Sequence, residues 1–137
     1  MKTILVVEDE DALRGLACLI LNHHGYRVLG ARDGPEALLV CAQHQGPVHL
    51  LITDVSLPHM SGQLLADALL RQRPGVKVLF ISGHTDEVLG PRGVLAPGIE
   101  FLMKPFTLAV LVRKVEEMLE RGPDDPVKDD NGKELDQ

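Results

Sequence analysis

An α/β fold is the expectation for this chain: a doubly wound parallel sheet of five strands, order 2-1-3-4-5, with helices on both faces. Three observations predict it. Five short apolar runs read as strands buried on both faces, because a parallel sheet covered by helices shows no polar alternation. Each run is followed by a segment of helical character, and right-handed crossovers then place helices on both sides of the sheet. Acids, a hydroxyl residue and a lysine stand where four of the runs end, and such sheets bind ligands in the crevice at their strands' carboxyl ends.

The elements follow in order. Thr3 to Val7 is β-branched and apolar and reads as the first strand. It runs into Glu8-Asp9-Glu10-Asp11. Asp11 is placed to cap a helix from Ala12 to about His24, with Leu13, Leu16, Ala17, Ile20 and Leu21 forming one apolar stripe, and Gly25 ends it. Arg27 to Ala31 is the second strand. Asp33-Gly34 is a turn, and Pro35 suits the first position of a helix reaching about His44. Leu50 to Asp54 is the central strand, and Pro58 and Gly62 keep the next residues irregular. A third helix runs from Gly62 to about Arg73, with Leu65, Ala68 and Leu69 inward. Val76 to Ile81 is the fourth strand, closed by Ser82-Gly83. Between Thr85 and Gly98, Pro91, Pro97, Gly90 and Gly93 predict a short or irregular fourth helix, since Pro inside a helix costs about 3 kcal/mol and Gly about 1. Ile99 to Met103 is the fifth strand. Thr107 caps a last helix to about Arg121, with a stripe of Leu108, Leu111, Val112, Val115 and Leu119. The expected domain is 1–122, and residues 123–137, acidic and almost without apolar side chains, form a disordered tail.

Composition narrows the function. At 137 residues and 45% hydrophobic the chain suits a single domain with a real core. A net charge of −6, no basic cluster, no Trp and one Tyr argue against a nucleic-acid surface. No apolar run approaches the roughly 20 residues that span a bilayer, and the N-terminal run is too short for a signal peptide. Cys18 and Cys41 lie in helix-like segments and read as free thiols of a cytoplasmic protein rather than a disulfide. The six histidines fall in different elements without metal-ligand spacing; His59 and His84 stand in loops near the strand ends.

In the order 2-1-3-4-5, strands 1, 3, 4 and 5 are neighbours, and their ends bring Glu8-Asp9, Asp54, Ser82 and Lys104 to one crevice. Asp54 alone reads equally well as a turn or cap residue; the convergence changes that. Three clustered carboxylates repel and raise one another's pKa unless a positive charge sits among them. A hard divalent cation does that, and Mg2+ prefers oxygen ligands from carboxylates, water and phosphate. Lys104 adds a fixed cation, and Ser82 and the N–H after it donate to an anion. The site therefore suits a metal and a phosphoryl group, with a carboxylate nucleophile.

Val7-Glu8-Asp9, Asp54 followed by Leu57-Pro58 and Gly62, Ser82-Gly83, and Lys104-Pro105-Phe106 together resemble a response-regulator receiver domain of two-component signalling, over about residues 3–121. The resemblance implies a flavodoxin-like fold and a phosphorelay role. Asp54 would accept the phosphoryl group of a phosphohistidine on a histidine kinase or histidine phosphotransfer domain. Asp9 and Asp54 would ligate Mg2+ directly, with the backbone carbonyl of Ser56, and Glu8 through water. Lys104 and Ser82 would bind the phosphoryl oxygens, and Ser82 and Phe101 would form the switch that alters a surface read by a downstream protein. The Lys104-Pro105 bond would be cis. Such a chain is no conventional enzyme, yet it would promote its own aspartyl phosphorylation and dephosphorylation. The broken fourth helix resembles receivers at the C-terminus of hybrid histidine kinases.

Rival readings are a haloacid-dehalogenase-type hydrolase, which wants an acid where Ser56 stands, and an FMN binder, whose phosphate loop the four acids replace. The alternative that survives is a receiver-like docking module that works without phosphorylation.

Overall fold

The structure, a computed structural model, describes residues 1–83 and 98–120. Its strands are β1 (Thr3–Val7), β2 (Arg27–Ala31), β3 (Leu50–Asp54), β4 (Lys77–Ser82) and β5 (Ile99–Met103). Its helices are α1 (Asp11–His23), α2 (Gly34–Gln43), α3 (Gly62–Gln72) and α4 (Leu108–Glu120). The strands are parallel in the order β2-β1-β3-β4-β5, as the strand–helix alternation predicts. The expectation of a short or irregular helix between Thr85 and Gly98 falls, save for Gly98, outside the described residues, as does the tail from 123.

The sheet divides the core into two layers. Successive side chains of a strand point to opposite faces. Leu5, Val7, Leu51, Val78 and Phe80 therefore pack with Ala37, Cys41, Leu65 and Leu69 of α2 and α3. Ile4, Val6, Leu50, Ile52 and Leu79 pack with Leu21, Leu111, Val115 and Met118 of α1 and α4. Each fully buried aliphatic side chain contributes about 1.5–3 kcal/mol. β1, β3 and β4 serve both layers at once, so these strands read as unbroken apolar runs.

Four helix details depart from the sequence expectation. The N-cap of α1 is Glu10, not Asp11, which lies in the first turn, and no side chain caps that end. Leu13 and Leu16 are 45% and 48% exposed, so the buried stripe of α1 narrows to Ala17, Ile20 and Leu21, with Leu21 alone fully covered. Leu108 is 39% exposed while Met118 is buried, which moves the buried stripe of α4 toward its C-terminus. Leu13, Leu16 and Leu108 line a small apolar cavity of about 100 Å³ near the strand ends, where helix turns outrun the sheet beneath them. In α3, Leu65, Ala66 and Leu69 are buried and Ala68 only partly so.

Helix ends follow local rules. Gly25, at φ 93°, ends α1: its N–H reaches the Asn22 carbonyl, and the Tyr26 N–H reaches that of Leu21. The Asp33 carboxylate accepts from the Glu36 N–H at the start of α2, 2.9 Å. Thr107 Oγ1 accepts from the Val110 N–H, 3.2 Å, at the start of α4. Ser61 Oγ accepts from the Leu64 N–H, 3.1 Å, at the start of α3. Ser61→Ala is expected to lower stability by about 1 kcal/mol in urea unfolding; an unchanged midpoint would mean that the cap is not felt. Cys18 and Cys41 are both free, and no helix among the described residues is long and apolar enough to cross a membrane.

Candidate functional site

Four strand ends build the site. β1 stops at Val7, and the Glu8 N–H continues the ladder onto the Ala31 carbonyl, 3.1 Å, which carries Glu8 and Asp9 to the sheet's upper edge. β3 ends on Asp54 itself, paired with Ile81 of β4. The Val55 N–H reaches the Ile81 carbonyl, 3.1 Å, and the Thr53 hydroxyl donates to the Asp54 carbonyl, 2.9 Å. The Lys104 N–H donates to the Ser82 carbonyl, 2.9 Å, which ties the end of β5 to the end of β4. Glu8, Asp9, Asp54, Ser82 and Lys104 thus arrive by ordinary strand extension, and Ser56 stands in the loop that follows β3.

A cleft of about 360 Å³ opens there, and Glu8, Asp9, Asp54, Ser56, Ser82 and Lys104 all line it. Asp54 is 8% exposed and Ser82 3%, so both lie at the floor. Lys104 Nζ is 3.2 Å from Asp54 Oδ1, with the lysine side chain 46% exposed. Glu8, Asp9 and Asp54 each offer a carboxylate oxygen, and these oxygens lie within 4.8 Å of one another. Burial pushes the Glu8 carboxyl up to about 7, against the Glu10 N–H that donates to it; the Asp54 and Asp9 carboxylates push the same way. A hard oxygen-only donor set with surplus negative charge fits a hard divalent cation, and the fit rests on this geometry.

The loop after β3 is clamped at both ends. The Gly62 N–H donates to the Val55 carbonyl, 2.8 Å. A Cβ on Gly62 would lie 2.0 Å from the Asp54 carbonyl oxygen, so only glycine lets α3 start against the end of β3. His59 takes φ 70°, and its Nδ1 lies 3.0 Å from the second oxygen of Asp33, whose first oxygen caps α2. The α2 N–H first, and then His59, hold the Asp33 carboxyl below its ordinary range. His59 is therefore a partner of α2 and not a wall of the cleft, and His84 lies outside the described residues.

Phe101 is half-buried, paired in register with Phe80 and packed against the α2–α3 layer. The Lys104–Pro105 peptide bond is cis. Sequence reasoning passed over Arg14, whose Nη1 donates to the Glu8 carbonyl, 2.9 Å, and whose Nη2 meets Asp11 at 2.6 Å. The Asp11–Arg14 spacing of three on a helix was a legible signal for the second contact. It also passed over Gly62 as a steric requirement, for which spacing offers no signal.

Residues 4–116 match the family model described as response regulator receiver domain. The chain is 37% identical over 119 residues to the sensor kinase CckA of Brucella abortus (strain 2308), covering 87% of this chain and 13% of that protein. It is 34% identical to the response regulator receiver protein CpdR of the same organism, covering 87% of this chain and 98% of CpdR. Among solved structures, the response regulator protein TrrA of Thermotoga maritima, in complex with Mg2+ and BeF, superposes with a TM-score of 0.73 at 29% identity, covering 87% of this chain and all of TrrA. The chain thus spans nearly all of one relative and only a small part of another.

Proposed function

Because the chain belongs to the response regulator receiver domain family of two-component signalling, we propose that it is a phosphoacceptor whose Asp54 takes a phosphoryl group from a phosphohistidine. The donor is a histidine kinase or histidine phosphotransfer domain in the cytoplasm. The observation that carries this reading is Asp54 itself: a carboxylate at the floor of the cleft, with one ammonium 3.2 Å away and two further carboxylates within reach.

Asp54 Oδ attacks phosphorus in line. The new P–O bond forms as the P–N bond breaks, and the imidazole leaves with the electron pair and takes a proton. Asp9, Asp54 and the Ser56 carbonyl would hold Mg2+, with Glu8 acting through water; when bound, the ion supplies charge neutralisation for the phosphoryl oxygens and the carboxylates. TrrA, solved with Mg2+ and BeF, supports a divalent cation in a fold of this kind. Lys104 then exchanges its carboxylate partner for a phosphoryl oxygen, and the Ser82 hydroxyl donates to another. Each charge-assisted bond is worth about 1.5–3 kcal/mol, enough to shift a population and not to refold the domain. Ser82 moving inward opens space on β4, and Phe101 on β5 is the side chain large enough to follow it. Lacking a hydroxyl, Phe101 signals through packing alone to a downstream protein. Residues 1–122 act as the unit and 123–137 as a tail; the likeness to CckA fits a receiver carried by a hybrid kinase, that to CpdR a stand-alone one.

The test is labelling with a small phosphodonor. Wild type is expected to form an acid-stable, base-labile acyl phosphate in Mg2+ and little in chelator, and Asp54→Asn none. Labelling of Asp54→Asn at the wild-type rate would remove Asp54 from the role. A wild type that takes neither Mg2+ nor phosphoryl group would leave the docking module as the function.

A further inference from the structure

We propose that Arg14 is a positioning residue for the metal site: its guanidinium holds the Glu8–Asp9 turn in the shape that captures a divalent cation. The inference rests on the receiver reading above and adds a residue to it.

Four acids follow β1 in succession, and the helix they open has no side-chain cap. Left alone, such a turn would spread under its own repulsion. Three bonds oppose that. The Glu8 N–H is held by the Ala31 carbonyl, 3.1 Å, and the Glu10 N–H folds back onto Glu8 Oε2, 3.0 Å. Arg14 Nη1 grips the Glu8 carbonyl, 2.9 Å, from one turn further along α1. The Arg14 side chain is only 20% exposed, whereas that of Asp11, its other partner, is 82% exposed, and the bond to the Glu8 carbonyl is partly buried. The exposed ion pair is therefore the weaker contact, and the carbonyl contact is the sheltered one. The stem of Arg14 runs beside Gly30 of β2, where a Cβ would meet Arg14 Cδ at 3.6 Å, so the strand keeps the side chain in place. The planar fork presents fixed donors to a carbonyl and a carboxylate together, a preorganised geometry that a flexible ammonium lacks.

The sign of the effect separates positioning from charge. By Coulomb's law alone, deleting a cation next to a cation site strengthens metal binding. Positioning predicts the opposite, because groups that orient metal ligands typically change affinity by about 10–100-fold.

The experiment is calorimetric titration of MgCl2 into the metal-free full chain, with thermal unfolding in chelator alongside. Arg14→Gln is expected to bind Mg2+ roughly tenfold more weakly, with labelling of Asp54 restored at saturating Mg2+. Arg14→Lys, which keeps the charge and loses the fork, is expected to stay weakened, and it decides the matter if Arg14→Gln does not fold. Asp11→Asn, which keeps the grip on Glu8, is expected to bind within about twofold of wild type. Affinity in Arg14→Gln equal to or tighter than wild type, or full recovery in Arg14→Lys, overturns the proposal. A wild type without Mg2+ affinity overturns the receiver reading and this inference with it, so the two failures are told apart.

Discussion

Gly62→Ala is expected to be among the most damaging single substitutions in the domain and to weaken metal binding sharply. An ideal Cβ at position 62 lies 2.0 Å from the Asp54 carbonyl oxygen, 3.0 Å from its carbon and 3.1 Å from Val55 Cα. All three are backbone atoms, so no side-chain rotation relieves the clash. The Gly62 N–H also donates to the Val55 carbonyl at 2.8 Å, so α3 cannot slide away without losing a bond. Overpacking costs about 1–3 kcal/mol even where side chains can yield; here the upper end of that range, about 3 kcal/mol, is expected. Because the atom struck belongs to Asp54, relief displaces the proposed phosphoacceptor itself. Urea unfolding and Mg2+ titration read the two effects together. A wild-type midpoint with wild-type affinity would contradict the contact.

The second large effect is a pH dependence that metal reverses. The Glu8 carboxyl stands at about 7 in the folded chain and 4.5 ordinarily, through burial first and then its carboxylate neighbours. Between these values the folded state holds a proton that the unfolded state has released. Stability of the metal-free protein therefore falls as pH rises from about 4.5 to about 7, and the loss is complete above that. Glu8 is partly open to water, so screening reduces the effect to about 1–2 kcal/mol. His49 contributes a slope of the other sign: burial lowers its pKa, so the folded ring stays neutral while the unfolded one takes a proton as pH falls below 6.5. The measurable quantity is thus the difference between wild type and Glu8→Gln, whose unfolding midpoints are expected to converge near pH 4.5 and separate toward pH 7 and above in chelator, with wild type the less stable. Saturating Mg2+ is expected to bring wild type level or above. Parallel curves for the two proteins would mean that the Glu8 carboxyl is not strained.

Most of the architecture was legible because a parallel sheet imposes a strong pattern. Val7, Asp54, Ser82 and Met103 each end a strand within a residue of where the apolar runs stop. Strand order then followed from topology, and with it the meeting of Glu8, Asp54 and Lys104. Periodicity was less informative for α1, since it counts apolar residues and cannot tell whether anything lies beneath them; Leu13 and Leu16 overhang the strand ends and stay half-exposed. Contacts made by long side chains to remote backbone were also beyond reach. Arg14 to the Glu8 carbonyl is one, and the His59–Asp33 contact across 26 positions is another. Neither residue type nor spacing encodes them, because they depend on how two finished elements approach.

The strand order has a kinetic consequence. Each neighbouring pair in the sheet is parallel, so none is a hairpin, and every ladder closes a long loop before it is rewarded. The acids at the ends of β1 and β3 are 45 positions apart for Asp9 and Asp54, and they meet only once the β1–β3 ladder has zipped to its last pair. Their mutual repulsion is therefore absent from the unfolded chain and small in any half-built sheet. It is expected to enter on the native side of the barrier. Relieving it, by Mg2+ or by Glu8→Gln, should leave the folding rate nearly unchanged and act on the rate of unfolding. On the proposed Mg2+ reading, cation occupancy would set how long the folded state persists, while the sheet sets the route to it.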